Sequence, residues 1–310
     1  MDISVIIPVK NGENYLRECL DSVFNQTFTG EYEVIVEIDP SEDKTVEIAN
    51  EYKELHQNLF VDLQNGLGVQ GCRNEGIKRA KGKYVCFLDA DDYYQKDYLM
   101  IMYEEIEKGY DVVNCAFKLK TDKKIRKTIF AKNRELDSLQ ACRYLLKDTF
   151  LRSFYWSKIF KKDLFKNGVP TIRTKGAIFE DVASVYYLLM HAQKVKSIKQ
   201  YLYFYRVHDS SLTQTIKKER FAYHLKVFCY IRYLCDNNEN VGYLHGFLKN
   251  ILRCKLSLIY DASVTKKELG HSACKHMKLH KTILKDLKKK EKLDITKYPE
   301  IEHFIKEEIN

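Results

Sequence analysis

The chain has 310 residues, 45% of them hydrophobic and 31% charged, with only four prolines. That composition suits one full α/β domain with an appendage, or two modest domains, and excludes a disordered or proline-linked chain. The net charge of +9 fits an ordinary basic surface or a phosphate-bearing partner: a nucleotide, a nucleic acid or an anionic membrane.

In chain order, residues 3–9 form a short apolar run and predict a buried strand. Tyr15, Leu16, Cys19, Leu20, Val23 and Phe24 then recur at helical spacing. A second strand is predicted over 33–38, followed by a helix carrying Val46, Ile48, Ala49 and Tyr52. A third is predicted over 58–63, with Ile77 and Ala80 on the helix after it, and a fourth over 83–88. Strands and helices alternating at this pace imply βαβ units and a largely parallel sheet covered on both faces. Ligands of such sheets bind at the carboxyl ends of the strands. From about residue 137 the pattern turns mostly helical, with one strand returning over 195–204. Beyond 215 it is helical, lysine-rich and aromatic-rich, with Phe221, Leu225, Phe228, Ile231 and Leu234 on one stripe. The sharpest shift in composition places a boundary near 215. The nine cysteines form no CxxC and lie in apolar stretches, as at Cys86 and Cys229. Buried free thiols in a reducing cytoplasm are expected. The opening apolar run is too short for a secretory leader, and no run is long enough to span a membrane.

The fourth strand runs straight into Asp89-Ala90-Asp91-Asp92. Carboxylates gathered at a strand end repel one another, and a hard divalent cation, Mn²⁺ or Mg²⁺, relieves that repulsion. A solvated acidic turn capping the next helix is the other reading. Gly66-Leu67-Gly68-Val69-Gln70-Gly71 matches GxGxxG, with Asp89 about twenty residues on, as in a dinucleotide-binding oxidoreductase. It follows the third strand and not the first, and its acid is one of a cluster, so that signal is weak. Glu180-Asp181 precedes an apolar helical run. The pair complements a helix dipole, and a carboxylate there could also act as a general base. Arg206 and His208 alternate onto one face after the late strand, suited to phosphate or metal. A structural histidine is the alternative. Lys281, Lys285, Lys288, Lys289, Lys290 and Lys292 form either a solvated face or a patch for anionic lipid.

Taken together and in order, these pieces resemble the family 2 glycosyltransferases, a GT-A group that builds bacterial cell-surface glycans. The resemblance covers residues 1 to about 215. It rests on Ser4-Val5-Ile6-Ile7-Pro8-Val9-Lys10-Asn11, on residues 22–27, on Asp39-Pro40-Ser41-Glu42-Asp43-Lys44-Thr45, and on Gly68 through Cys72-Arg73-Asn74-Glu75-Gly76. It continues with Phe87-Leu88-Asp89-Ala90-Asp91-Asp92, Trp156-Ser157-Lys158-Ile159-Phe160 and Phe179-Glu180-Asp181. The resemblance implies a Rossmann-like, mostly parallel sheet flanked by helices, with a helical C-terminal extension. It implies a nucleotide-sugar half over about 1–117, an acceptor half over about 118–215 and the extension over 216–310.

The activity it implies is inverting transfer of a sugar from a nucleotide diphosphate, UDP first, to a glycan or lipid-linked hydroxyl. Pro8, Val9, Asp39, Arg73, Asp89 and Ala90 would bind the nucleotide. Asp91, with His208, would hold Mn²⁺ or Mg²⁺. Arg206, Trp156 and Lys158 would face diphosphate or acceptor. Asp181 would be the base, with Glu180 beside it. Two positions depart from the pattern: Lys10 replaces a usual aromatic and Ile38 a usual Asp, and both bear on recognition of the nucleotide's base. The protein is expected in the cytoplasm and at the inner face of the plasma membrane. Two rivals are a sugar- or nucleotide-binding relative without turnover and a nucleic-acid binder. Charge alone suggests the latter, no motif supports it, and nucleic acid is not an expected partner.

Overall fold

The computed structural model describes residues 1–121, 123–127, 132–171 and 180–208, together with 227, 229–231, 233–234, 294–303 and 306–307. Strand β1 (Ile3–Val9) is buried at every position, as a strand covered on both faces must be. Helix α1 (Leu16–Phe24) follows, then β2 (Tyr32–Ile38), α2 (Thr45–Leu55), β3 (Leu59–Leu63), α3 (Gly68–Arg79) and β4 (Tyr84–Phe87). Next come β5 (Tyr93–Tyr94), α4 (Tyr98–Ile106), β6 (Val112–Lys120), β7 (Ile125–Lys127), β8 (Arg134–Asp137), α5 (Ser138–Lys147), β9 (Lys158–Lys161), α6 (Glu180–His191) and β10 (Lys194–Arg206).

One sheet runs β3-β2-β1-β4-β9-β6-β10-β5, with β7 on β6 and β8 on β10. The expected parallel arrangement holds across β3-β2-β1-β4. Beyond β4 the sheet is mixed: β9 enters antiparallel between β4 and β6, while β10 is parallel to β6. The motif reading of 156–160 anticipated no strand at β9, and β6 was also unanticipated. Val112-Val113-Asn114-Cys115-Ala116 carries a polar residue in mid-run, yet all five are buried. Asn114 is satisfied there by the Phe150 carbonyl and the Ser197 hydroxyl, so tertiary partners offset a weak local signal.

Alternation along β1 sends Ile6 to one apolar cluster and Val5 and Ile7 to another. The first cluster holds residues of α5 and α6. The second holds residues of α1, α2 and α4. Val227, Cys229, Tyr230 and Ile231 of the lysine-rich segment also sit in the first cluster. Phe221, Leu225, Phe228 and the lysines from Lys281 to Lys292 lie outside the described residues. Among the described residues no helix is long and apolar enough to cross a membrane, and the six described cysteines are free and buried.

Two contacts yield stability predictions. The Gly82 N–H donates to Ser4 Oγ at 2.8 Å, and a Cβ on Gly82 would stand 2.5 Å from the Ser4 backbone nitrogen. Backbone cannot step aside as a side chain can, so Gly82→Ala is expected to destabilise by about 1–3 kcal/mol, read by chemical denaturation. Glu37 on β2 is buried beside Arg79 Nε at 3.5 Å and accepts from Gln64. Burial pushes its carboxyl up to about 7. The folded state thus binds a proton that the unfolded chain releases near 4.5, and stability falls as pH rises between those values. Glu37→Gln is expected to flatten that slope, raising stability at pH 7.5 relative to pH 4.5 by roughly 2–3 kcal/mol. Parallel slopes for the two proteins would count against a buried, protonatable Glu37.

Candidate active site

The carboxyl ends of β1, β2, β4 and β10 converge on one mouth. After β1 the chain turns at Asn11, with φ of 50°, and its loop is laced to the loop after β2. The N–H groups of Asn11, Gly12 and Glu13 donate to Ser41 Oγ, Thr45 Oγ1 and Asp43 Oδ2 at 3.0, 2.7 and 3.0 Å. In return the N–H groups of Glu42 and Lys44 donate to Asn11 Oδ1 and Glu13 Oε2 at 3.0 and 3.2 Å.

Asp39, at the end of β2, is buried. Its N–H donates to the Val9 carbonyl at 2.9 Å. Its carboxylate accepts from the N–H groups of Leu67 and Gly68 at 2.8 and 3.2 Å. Gly66 and Gly68 make that approach by adopting φ of 73° and 70°, a region glycine enters without strain. The GxGxxG stretch thus presents the start of α3 to a side-chain carboxylate of its own fold. Carboxylate oxygens have further lone pairs, so Asp39 keeps acceptor capacity toward a ligand. Pro8 and Val9 form the adjoining end of β1 and are buried, and Lys10 is exposed beyond them. Ile38 is buried in the second cluster.

The acidic turn after β4 is divided among different tasks. Arg73, buried on α3, donates to Asp89 Oδ1 at 2.8 Å and lies 5.2 Å from the centre of the Tyr155 ring. Burial pushes the Asp89 carboxyl up, the Asp91 charge adds to that, and Arg73 opposes it. Ala90 is nearly closed off. Asp91 is the most open of the acids, and its Oδ2 lies 3.0 Å from His208 Nε2. Asp92 is fully buried. It accepts from the Tyr203 hydroxyl and the Arg206 N–H, each at 2.7 Å. Burial and its two neighbouring acids hold its carboxyl well above the usual range. Asp92 thus ties the end of β10 to the end of β4.

Arg206 donates through Nε to the Asp91 carbonyl at 2.8 Å and through a terminal nitrogen to Glu18 at 2.5 Å. Its guanidinium lies 4.7 Å from the centre of the Tyr15 ring. Glu18 also accepts from Lys120, and these two cations hold its carboxyl below the ordinary value despite burial.

Asp181 is the second residue of α6 and is partly buried. Its charge reaches the Tyr155 hydroxyl and the Lys158 ammonium. Glu180 opens the same helix. Two expected ligand-facing residues point inward instead. Lys158 is fully buried, and its ammonium donates to the carbonyls of Arg152 and Phe154 and to Ser157 Oγ at 2.6, 2.7 and 3.1 Å. Those three bonds use all its donors, and burial pulls its pKa down to about 7. It holds the turn before β9 and has no donor left for diphosphate or acceptor. Trp156 is buried, stacked on Phe154, Tyr203 and Tyr205 with centroids 4.6, 4.3 and 5.6 Å away. It packs behind Tyr203. Asp92, Glu18, Tyr15 and Tyr155 complete the site without having been expected there. Asp92 at least stood within the acidic tetrapeptide and Tyr15 within a helical pattern, whereas Glu18 carried no signal.

A divalent cation can be tested against this donor set. Two adjacent ligands of an octahedral ion with bonds of about 2.1 Å stand about 3.0 Å apart, and Asp91 Oδ2 and His208 Nε2 have that separation. No group of three or more His, Cys, Asp or Glu able to hold an ion occurs among the described residues. An ion here would draw its other ligands from phosphate and water, as Mg²⁺ does in nucleotide sites.

The profile described as Glycosyl transferase family 2 matches residues 4–168. The chain belongs to that family. Putative glycosyltransferase EpsH of Bacillus subtilis is 28% identical, over 76% of this chain and 70% of that protein. The poly(ribitol-phosphate) beta-glucosyltransferase of Bacillus spizizenii is 32% identical over 67% of this chain, which spans only 32% of that enzyme. Among solved structures, S. aureus TarS 1-349 in complex with UDP superposes with a TM-score of 0.65. It is 25% identical over 81% of this chain and 71% of that one. The shared fold is the GT-A arrangement of a central sheet flanked by helices.

Proposed function

We propose that this chain transfers a sugar from a nucleoside diphosphate, UDP first among candidates, to a hydroxyl of a glycan or lipid-linked acceptor, with inversion at the anomeric carbon. The observation that carries this reading is the pairing of Asp91 with His208 next to the Asp89–Arg73 ion pair, at the ends of β4 and β10. Family membership and the likeness to a UDP-bound protein support it.

In this reading Asp39, Arg73 and the ends of β1 and β2 hold the nucleoside. Asp91 and His208 hold Mn²⁺ or Mg²⁺. When bound, that ion supplies positive charge where the departing diphosphate gathers negative charge. Arg206 adds a fixed cation at the same edge. Asp181 takes the proton from the attacking hydroxyl, and direct displacement needs no protein nucleophile. Residues 1–215 are the catalytic unit and 216–310 an extension of it, and a lipid-linked acceptor would lie at the inner membrane surface.

Thermal shift with UDP tests the donor site. With Mn²⁺ present, UDP at about 100 times its Kd is expected to stabilise by about 2.7 kcal/mol, and GDP, CDP and ADP by less. Equal responses to all four nucleotides would remove UDP as the preferred donor, and no response to any would remove the transferase reading.

A further inference from the structure

The second half of β6 and the β7 strand form a hairpin of whose cations the catalytic site uses only Lys120, on Glu18. Residues 118–127 carry six cations, Lys118, Lys120, Lys123, Lys124, Arg126 and Lys127, against one acid, Asp122. Lys118 and Lys120 lean over Phe204 and Tyr93 at 4.5 and 4.7 Å, and Lys127 over Tyr201 at 5.2 Å. Lys123, Lys124, Arg126 and Lys127 are exposed, and none has an ion-pair partner among the described residues. Between them stands Ile125, 54% exposed.

The hairpin also has a fixed position relative to the mouth. Ile125 pairs with Lys120, and Lys120 pairs with Arg206. The Val207 N–H donates to the Lys120 carbonyl at 2.8 Å, one residue before His208. Strands are about 4.8 Å apart, so the tip lies roughly 10 Å across the ladder from Arg206.

We infer that this hairpin is a membrane-docking element that seats on an anionic lipid surface, with its cations among the headgroups and Ile125 entering the interface. An exposed apolar side chain flanked by unpaired cations has the two-part chemistry of an interfacial anchor. A phosphate polymer would use the charges and leave Ile125 without a role. Lysines that merely protect an edge strand would not call for an exposed isoleucine among them. Docking at this point turns the Asp91–His208 edge toward the bilayer, a consequence that rests on the transferase reading. The docking itself does not.

Co-sedimentation of the full chain with phosphatidylcholine vesicles, with and without 30% phosphatidylglycerol, tests it. Binding is expected only to the anionic vesicles and to weaken with salt. The quadruple variant Lys123→Gln, Lys124→Gln, Arg126→Gln, Lys127→Gln is expected to bind about 10²-fold more weakly. Changing Lys281, Lys285, Lys288, Lys289, Lys290 and Lys292 to glutamine is expected to leave most of the binding in place. In Ile125→Trp, tryptophan emission is expected to shift to the blue with anionic vesicles and not with inorganic polyphosphate. The thermal shift by UDP with Mn²⁺ should be the same in all variants, which separates this inference from the donor site. The inference fails if anionic vesicles do not bind, if the hairpin variant binds like the parent, if only the tail lysines matter, or if polyphosphate alone shifts the probe.

Discussion

In the Asp91→Asn variant, sugar transfer is expected to fall by about 10³-fold, and UDP with Mn²⁺ is expected to stabilise the protein no more than UDP with EDTA. Asp91 is singled out by its setting among the three acids. Asp89 is taken by Arg73 and Asp92 by Tyr203 and the Arg206 N–H. Asp91 alone of them keeps a side chain that is 38% exposed and directed at a histidine nitrogen. An asparagine fits the same space but lacks the charge that a hard cation requires. The variant should fold normally, since a partly exposed side chain off the core is worth within about 0.5 kcal/mol. An unmutated protein whose response to UDP is the same with Mn²⁺ and with EDTA would remove the metal from the proposal.

The opposite profile is expected for Asp181→Asn: donor binding unchanged within about twofold, and turnover lower by about 10² or more. The carboxylate sits on the first turn of α6. Its charge is felt at Tyr155, whose ring lies under the Arg73 guanidinium that holds Asp89. Asp181 and the Asp89–Arg73 pair are thus linked through Tyr155, and in the proposed reading Asp181 serves the acceptor. Its charge also supports the protonated form of buried Lys158, so a structural role needs its own control. Lys158→Met should lower stability, because it leaves two carbonyls and Ser157 without their donor. It should not reproduce the selective loss of turnover. If Asp181→Asn turns over at a near-normal rate, Asp181 is not the base.

The strands β1 to β4 were legible because each is a short, largely apolar run ending in turn or acidic residues, and β10 because its second half is rich in strand-forming aromatic residues. β9 was not, since four residues entering antiparallel leave no periodic trace of their own. Motif order pointed to the candidate site, but a motif gives residue type without orientation. Lys158 and Trp156 stand in the expected segment, yet the strand they lead into turns them inward. Arg206 and His208 were legible for the opposite reason. They leave the last rung of β10 on the same side, toward the acidic turn. Glu18 gave no signal, because its partners Lys120 and Arg206 are 102 and 188 residues away.

The five hydrogen bonds between the loops after β1 and β2 bear on the entropy of donor capture. A loop that must order around its ligand forfeits about 1–2 kcal/mol per residue fixed. Here both loops are fixed by one another, and Asp39 is anchored to the start of α3, through bonds internal to the protein. In the proposed reading the nucleoside end of the donor meets a wall held by these internal bonds, and its affinity carries little ordering penalty on that side. Calorimetry on uridine and on UDP should then show nearly equal conformational entropy terms, with the gain from the diphosphate appearing mainly as enthalpy.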